Sequence, residues 1–179
     1  MIARPPLRKA AAGTLIALLA VLVLAADQFT KHLALENLPY EQPVPVIGDF
    51  LIFYLVRNPG AAFSLGEEVT WVFTIALAAV AVVIVWLAAT RVKSRLWAVA
   101  LGLLLGGVLG NLTDRLFRAP GFLRGHVVDW ISLFGPYDKY WPIFNLADSA
   151  IVCGAILAGL LALLGRDIEG REGRRARHG

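Results

Sequence analysis

Residues 126–148 read HVVDWISLFGPYDKYWPIFNLAD, and the interpretation of the whole chain turns on them. Asp129 is wrapped in apolar residues, with Val127 and Val128 before it and Trp130 after it. Asp148 opens a long apolar run, and an aromatic, turn-forming loop separates the two acids. An ionisable group at the edge of a bilayer is costly unless it is paired or used, so each acid is a candidate functional group. Two of them on one side of a membrane suggest a carboxylate pair.

Working outward, the bilayer is the natural solvent for this chain. Of its 179 residues 58% are hydrophobic and only 17% charged, far from the balance of a soluble domain. The apolar residues fall in runs at about 10–26, 69–90, 96–113 and 146–165, each within reach of the roughly 17–25 residues that cross a bilayer as a helix. The expected fold is therefore an α-helical membrane protein with four transmembrane helices. It forms one domain over 1–165, with a basic cytoplasmic tail over 166–179. The run after Arg4, Arg8 and Lys9 also has the outline of a secretory signal. Leu24-Ala25-Ala26 is a poor cleavage site, however, and Asp27 to Lys31 continues the helical pattern, so a retained span is expected. Asp27 and Lys31 are four apart and can pair. An acid at a helix C-terminus opposes the macrodipole, so Asp27 needs such a partner or another role. A surface pair and a functional pair both remain open.

Charge sets the orientation. Basic residues gather at both termini and at Arg91, Lys93 and Arg95, which assigns that side to the cytoplasm. Both termini are then cytoplasmic, and the segments 27–68 and 114–145 face outward. The net charge of +4 thus reflects membrane orientation, and no nucleic-acid partner is expected. Asp27, Asn58, Asn111, Asp114, Arg115, Asp129, Asn145 and Asp148 all fall at the outer boundary. Unrelated polar residues would scatter between the two faces, so this coincidence points to one site.

The outer segments have their own local structure. Val44 to Ile47 and Phe50 to Val56 are β-branched and aromatic, and Gly48-Asp49 between them predicts a hairpin with a two-residue turn. Such a hairpin would lie on the membrane surface with Phe50, Ile52, Tyr54 and Val56 on one face. Gly102, Gly106, Gly107 and Gly110 in the third span permit close helix packing. Asn111, Asp114 and Arg115 follow within a turn, and Arg115 can hold a carboxylate or a carbonyl. Asn145 reads as an N-cap with Asp148 at the third helical position, as in a capping box. That position suits a carboxylate, whereas Asp129 among its apolar neighbours suits the protonated form. Cys153 is the single cysteine and reads as a buried thiol, and His126 reads as an interfacial loop residue.

Two acids sharing a proton can hydrolyse an amide, one activating water and the other protonating the carbonyl oxygen. Carboxylates in membranes also serve proton-coupled carriers, and on the residues alone hydrolase and carrier both stand. No serine nucleophile motif, zinc motif, metal site or cofactor motif is present, so no metal and no cofactor are expected. Spans two and four carry no charge at their centres, which favours interfacial chemistry over transport.

Five motifs in order then resemble one family: DQFTK at 27–31, NPGAAFS at 58–64, GNLTDRL at 110–116, VVDW at 127–130 and FNLADS at 144–149. The chain resembles lipoprotein signal peptidase, or signal peptidase II, a bacterial intramembrane aspartic protease. The resemblance covers nearly all of the chain except the Arg-rich tail, with Thr113 and Trp130 at positions expected to vary. It implies removal of the signal peptide from diacylglyceryl-modified prolipoproteins just before the lipidated cysteine. It implies Asp129 and Asp148 as the catalytic dyad, with Asn58, Asn111, Asp114, Arg115 and Asn145 binding substrate. It further implies a monomer in contact with membrane lipid in the bacterial inner membrane, with the site on the extracytoplasmic side. The hairpin then corresponds to a small sheet that cradles substrate, and 130–141 to a mobile loop. A proton-coupled carrier and an inactive lipopeptide-binding scaffold are the alternatives.

Overall fold

The structure, a computed structural model, describes residues 5–60, 69–135 and 140–170. Ala61 to Ser64 of the NPGAAFS motif, 136–139 of the aromatic loop and 171–179 of the tail lie outside the described residues. The element order is α1 (Lys9–Asn37), β1 (Pro43–Ile47), β2 (Leu51–Asn58), α2 (Thr70–Thr90), α3 (Arg95–Phe117), β3 (Val127–Leu133) and α4 (Leu146–Leu163). All four helices are long and apolar enough to cross a membrane.

Helix α3 is the centre of the bundle and packs against α1, α2 and α4. It can do so because glycine replaces side chains where neighbours approach. A Cβ on Gly102 would stand 2.8 Å from Leu19 Cβ, and one on Gly106 would stand 2.6 Å from Val23 Cβ. Gly107, rotated away from that row, meets the carbonyl of Ala147 on α4. Without a hydrophobic force between helices in lipid, this closeness of backbones is the main source of association. The apolar core beneath it joins Ala12, Ile16 and Ala20 of α1, Ala81 and Ile84 of α2, and Ala98, Leu101, Leu105 and Val108 of α3.

Helix α1 departs from the expected span. It continues to Asn37, so Asp27 stands well inside the helix and no longer faces a C-terminal dipole. The Asp27–Lys31 pair forms at 2.8 Å, yet both side chains are 0% exposed, so it is not a surface pair. Cys153 is exposed rather than buried, because it lies on the outward side of α4. The start of the tail is also less free than its basic composition suggests. Ile168 accepts hydrogen bonds from the backbone of Lys93 and Ser94, and Trp97 Nε1 donates to the carbonyl of Arg166.

The hairpin is present, antiparallel, with Val44 opposite Phe53 and Ile47 opposite Leu51. Its turn is one residue longer than expected, because Phe50 donates its N–H to Ile47 and lies outside β2. Ile52 and Tyr54 share a buried face, whereas Phe50 is exposed and meets Phe134 edge-on. A third strand was not anticipated. Residues Val127–Leu133 pair antiparallel with β2, giving the order β1-β2-β3. From the sequence alone the segment reads as the flank of an acid and the start of a loop. Its run of Val, Val, Trp and Ile carried a strand signal, and the tertiary pairing brings that out.

Candidate active site

The β2–β3 register brings the first acid to its partner. Asn58 lies opposite Val127, and Val56 lies opposite Asp129. Asn58 Nδ2 donates to Asp129 Oδ2 at 2.9 Å. Its amide is held in that sense by Gly60, whose N–H donates to Asn58 Oδ1 at 2.8 Å. Gly60 has φ +102°, a backbone conformation that a side chain would strain.

Helix α4 brings the second acid. Asn145 caps it, accepting from the N–H of Asp148 at 3.0 Å, while Asp148 Oδ2 accepts from the N–H of Asn145 at 3.1 Å. This is the expected capping box. The same Asn145 side chain reaches the other acid, with Nδ2 2.6 Å from Asp129 Oδ1. One amide therefore starts the helix, orients Asp148 and holds Asp129. Asn111 of α3 completes the frame by donating to Asp148 Oδ1 at 2.7 Å.

Asp129, Asp148, Asn58, Asn111 and Arg115 line one cavity of about 320 Å³. Its other wall is apolar: Phe73, Ala76, Leu77 and Val80 of α2, with Ile151 of α4. Burial, and then the negative charge of Asp148, push the Asp129 carboxyl up to about 7, against the opposing donors of Asn58 and Asn145. The local environment that suggested a protonated Asp129 from sequence is the one that the fold builds.

Two expected site residues have other surroundings. Asp114 is 0% exposed and is not among the cavity residues. It accepts from Lys31 at 2.8 Å, from Arg118 at 2.6 Å and from the N–H of Val128 at 3.1 Å. It thereby ties strand β3 to helix α3, one residue from Asp129. Arg115 reaches the cavity, but its Nη1 donates to the carbonyls of Pro59 and Gly125 at 3.3 and 3.4 Å, and its guanidinium lies 5.7 Å from the Phe73 ring centre.

Lys31 and Gln28 were missed as site residues. Lys31 Nζ, fully buried, binds Asp27, Asp114 and Asn111 at 2.8, 2.8 and 3.0 Å, using its three protons. Gln28 Nε2 donates to Asp27, Asp114 and the carbonyl of Gly110. Asp27 in turn accepts from the N–H of Ala147 at 2.9 Å, which anchors the start of α4 on α1. The pairing of Asp27 with Lys31 was the available signal. That both were buried was not, because burial depends on helices distant in sequence. His126 does not line the dyad cavity.

Residues 19–164 match the family model described as signal peptidase (SPase) II. This chain belongs to the signal peptidase II family. The lipoprotein signal peptidase of Mycobacterium avium (strain 104) is 49% identical over 166 residues, covering 93% of this chain and 86% of that protein. The lipoprotein signal peptidase of Streptomyces coelicolor is 50% identical over 163 residues, covering 91% and 76%. A solved structure described as a bacterial membrane enzyme superposes with a TM-score of 0.71 at 34% identity, covering 83% of this chain and 92% of that one. A second, similarly described, gives 0.67 at 29% identity over 90% and 94%. As a signal peptidase II, the chain is a multi-pass membrane protein and an aspartic protease. The two acids facing one cavity are the natural candidates for its chemistry.

Proposed function

We propose that Asp129 and Asp148 are the catalytic pair by which this signal peptidase II removes signal peptides from prolipoproteins. The supporting observation is that both carboxylates face one cavity and are joined through the single residue Asn145, whose side-chain Nδ2 donates to Asp129 and whose backbone N–H donates to Asp148. Asp148 acts as the carboxylate and Asp129 as the acid. Water attacks the scissile carbonyl carbon while Asp148 takes its proton, and Asp129 gives a proton to the carbonyl oxygen. The tetrahedral intermediate then collapses, its C–N bond breaks, and the proton on Asp148 passes to the leaving nitrogen. That returns Asp148 to the carboxylate, and Asp129 regains its proton from the new acid product.

Asn58 and Asn145 hold Asp129, and Asn111 holds Asp148. Arg115 holds the Pro59 and Gly125 loops against the cavity, and Asp114 positions β3 from behind. The apolar wall from α2 suits a substrate that arrives from the bilayer, which fits a diacylglyceryl-modified prolipoprotein cut just before its lipidated cysteine. The basic Arg91–Arg95 loop supports a cytoplasmic location for that end of the bundle. The dyad then faces the extracytoplasmic side of the inner membrane. One chain supplies every residue named, in keeping with a working monomer.

The test is cleavage of a diacylglyceryl-modified prolipoprotein in detergent by wild type, Asp129→Asn and Asp148→Asn, with folding followed by thermal melt. Each variant is expected to fold and to lose about 10³-fold or more in rate, consistent with removal of a general acid or base. A folded variant that still cuts at near wild-type rate would remove that aspartate from the mechanism.

A further inference from the structure

A second cavity, of about 300 Å³, lies on the other face of the β2–β3 pair. Alternate residues of a strand point to opposite faces. Asn58 and Val127, which are opposed in register, line the dyad cavity, and their neighbours Arg57 and Val128, also opposed, line this one. Leu35 of α1, Phe117 at the end of α3, Arg118 and Ala119 just after it, and His126 complete it.

Its charge is unbalanced. Beside it, Asp27 and Asp114 are matched by Lys31 and Arg118. Arg57 makes no ion pair among the described residues and remains as an excess cation. Arg118 commits Nε to Asp114 and one Nη to Gln28, which leaves guanidinium donors unspent. Among the described residues His126 Nε2, a buried atom, has no hydrogen-bond partner. An enclosure with two guanidinium groups and an imidazole calls for an anion, and guanidinium matches phosphate oxygens well. Its apolar residues are as informative. Phe117 is 78% exposed and closes the last turn of α3, while Leu35 is near the end of α1. The ends of spans lie near headgroup depth, where apolar side chains meet the first acyl carbons.

We propose that this cavity binds the phosphate of an anionic phospholipid headgroup through Arg57, Arg118 and His126, with Leu35 and Phe117 against the glycerol and first acyl carbons. The bound lipid stands behind Asp129: Val128, in the cavity wall, donates its N–H to Asp114, which also holds Arg118. The proposal is independent of the catalytic assignment.

The experiment is native mass spectrometry of the full-length protein in a neutral detergent. It is titrated with dioctanoyl phosphatidylglycerol, dioctanoyl phosphatidylcholine or inorganic phosphate. Phosphatidylglycerol is expected to bind once per chain, at least about tenfold more tightly than the other two. Arg57→Gln should weaken it by about tenfold and Arg57→Gln with His126→Gln by more, in line with lost charge-assisted bonds. Arg118 is spared because it also holds the buried Asp114, and Arg57 is exposed, so the single variant should fold. Asp129→Asn, on the other face, should leave binding unchanged. Unchanged binding in the double variant would overturn the proposal. So would loss of binding in Asp129→Asn, since the lipid would then occupy the dyad cavity. Equal binding of phosphatidylcholine would refute charge selection, and equal binding of inorganic phosphate would refute a headgroup ligand.

Discussion

Burial and the charge of Asp148 push the Asp129 carboxyl up to about 7, so small changes around it should be visible in the pH profile. With its carboxyl at about 7, kcat/KM is expected to fall as pH rises through that value, because the acid loses its proton. Asn58 donates to the carboxylate, which favours the charged form. Asn58→Ala should therefore move the alkaline limb to higher pH while lowering the maximum rate, and a pH–rate series on both proteins checks this. A limb that moves to lower pH would contradict the assignment of the proton to Asp129. Stability has a linked sign. Folding keeps a proton that the unfolded chain releases near 3.8, so this contribution is full below 3.8 and is lost as pH rises through about 7. The Asp129→Asn variant should show a flatter fall of Tm over that window. Lys31 is the second sensitive residue. Lys31→Met removes the buried cation that Asp27 and Asp114 share, and leaves both fully buried acids with fewer partners. Breaking a buried pair by removing one partner costs about 3–5 kcal/mol, and a large drop in Tm in detergent is expected.

At the scale of elements, α1, α3 and α4 meet through glycine, and the contact also sets the site. A Cβ on Gly110 would stand 2.6 Å from Asp27 Oδ2, and Asp27 anchors the first turn of α4. Gly110→Ala should thus lose both stability and rate, by about 1–3 kcal/mol of overpacking together with displacement of Asp148. Gly159 on α4 has nothing among the described residues within 4 Å of its Cβ position, and Gly159→Ala should leave the rate unchanged and hold or slightly raise stability. Thermal unfolding and turnover of the two variants separate packing from a general effect of alanine. Asn145 links an element to the chemistry. Asn145→Asp can still accept from the N–H of Asp148 but cannot donate to Asp129. Helix α4 should keep its cap, worth about 1 kcal/mol, while activity falls steeply. An active Asn145→Asp enzyme would show that the bridge between the acids is dispensable.

The whole molecule carries its polar network at one end of an apolar bundle and a basic loop at the other. If the dyad end faces outward, cysteines introduced at the two ends will label differently. In a Cys153→Ala background, Asp49→Cys in the hairpin turn should react with a membrane-impermeant maleimide on intact cells. Lys93→Cys in the α2–α3 connection should react only after lysis. The reverse pattern would invert the proposed topology. Removal of Cys153 is needed because that side chain is exposed on α4.

The sequence by itself determined the four spans, the hairpin and the α4 capping box, together with the family, and it singled out the two acids proposed as the catalytic pair. Each of these rests on local chemistry: unbroken apolar runs, turn residues and β-branched residues, an asparagine three before an aspartate. It also carried the distinction between an aspartate in apolar surroundings and one at a helix start. Only the tertiary structure decided that residues 127–133 form a strand, since their hydrogen bonds are made to β2, 71 positions away in the chain by the Asn58–Asp129 bond. Only it decided that Asp27 and Lys31 are buried, and that Lys31 joins α1 to α3 through Asp114 and Asn111 while pairing with Asp27. It likewise turned Asp114 away from the cavity and set Arg57 and Arg118 together on the far face of the sheet. Local periodicity specifies which element a residue belongs to. Which side chain from a distant element meets it is set by helix packing and strand register, and these depend on the whole chain at once.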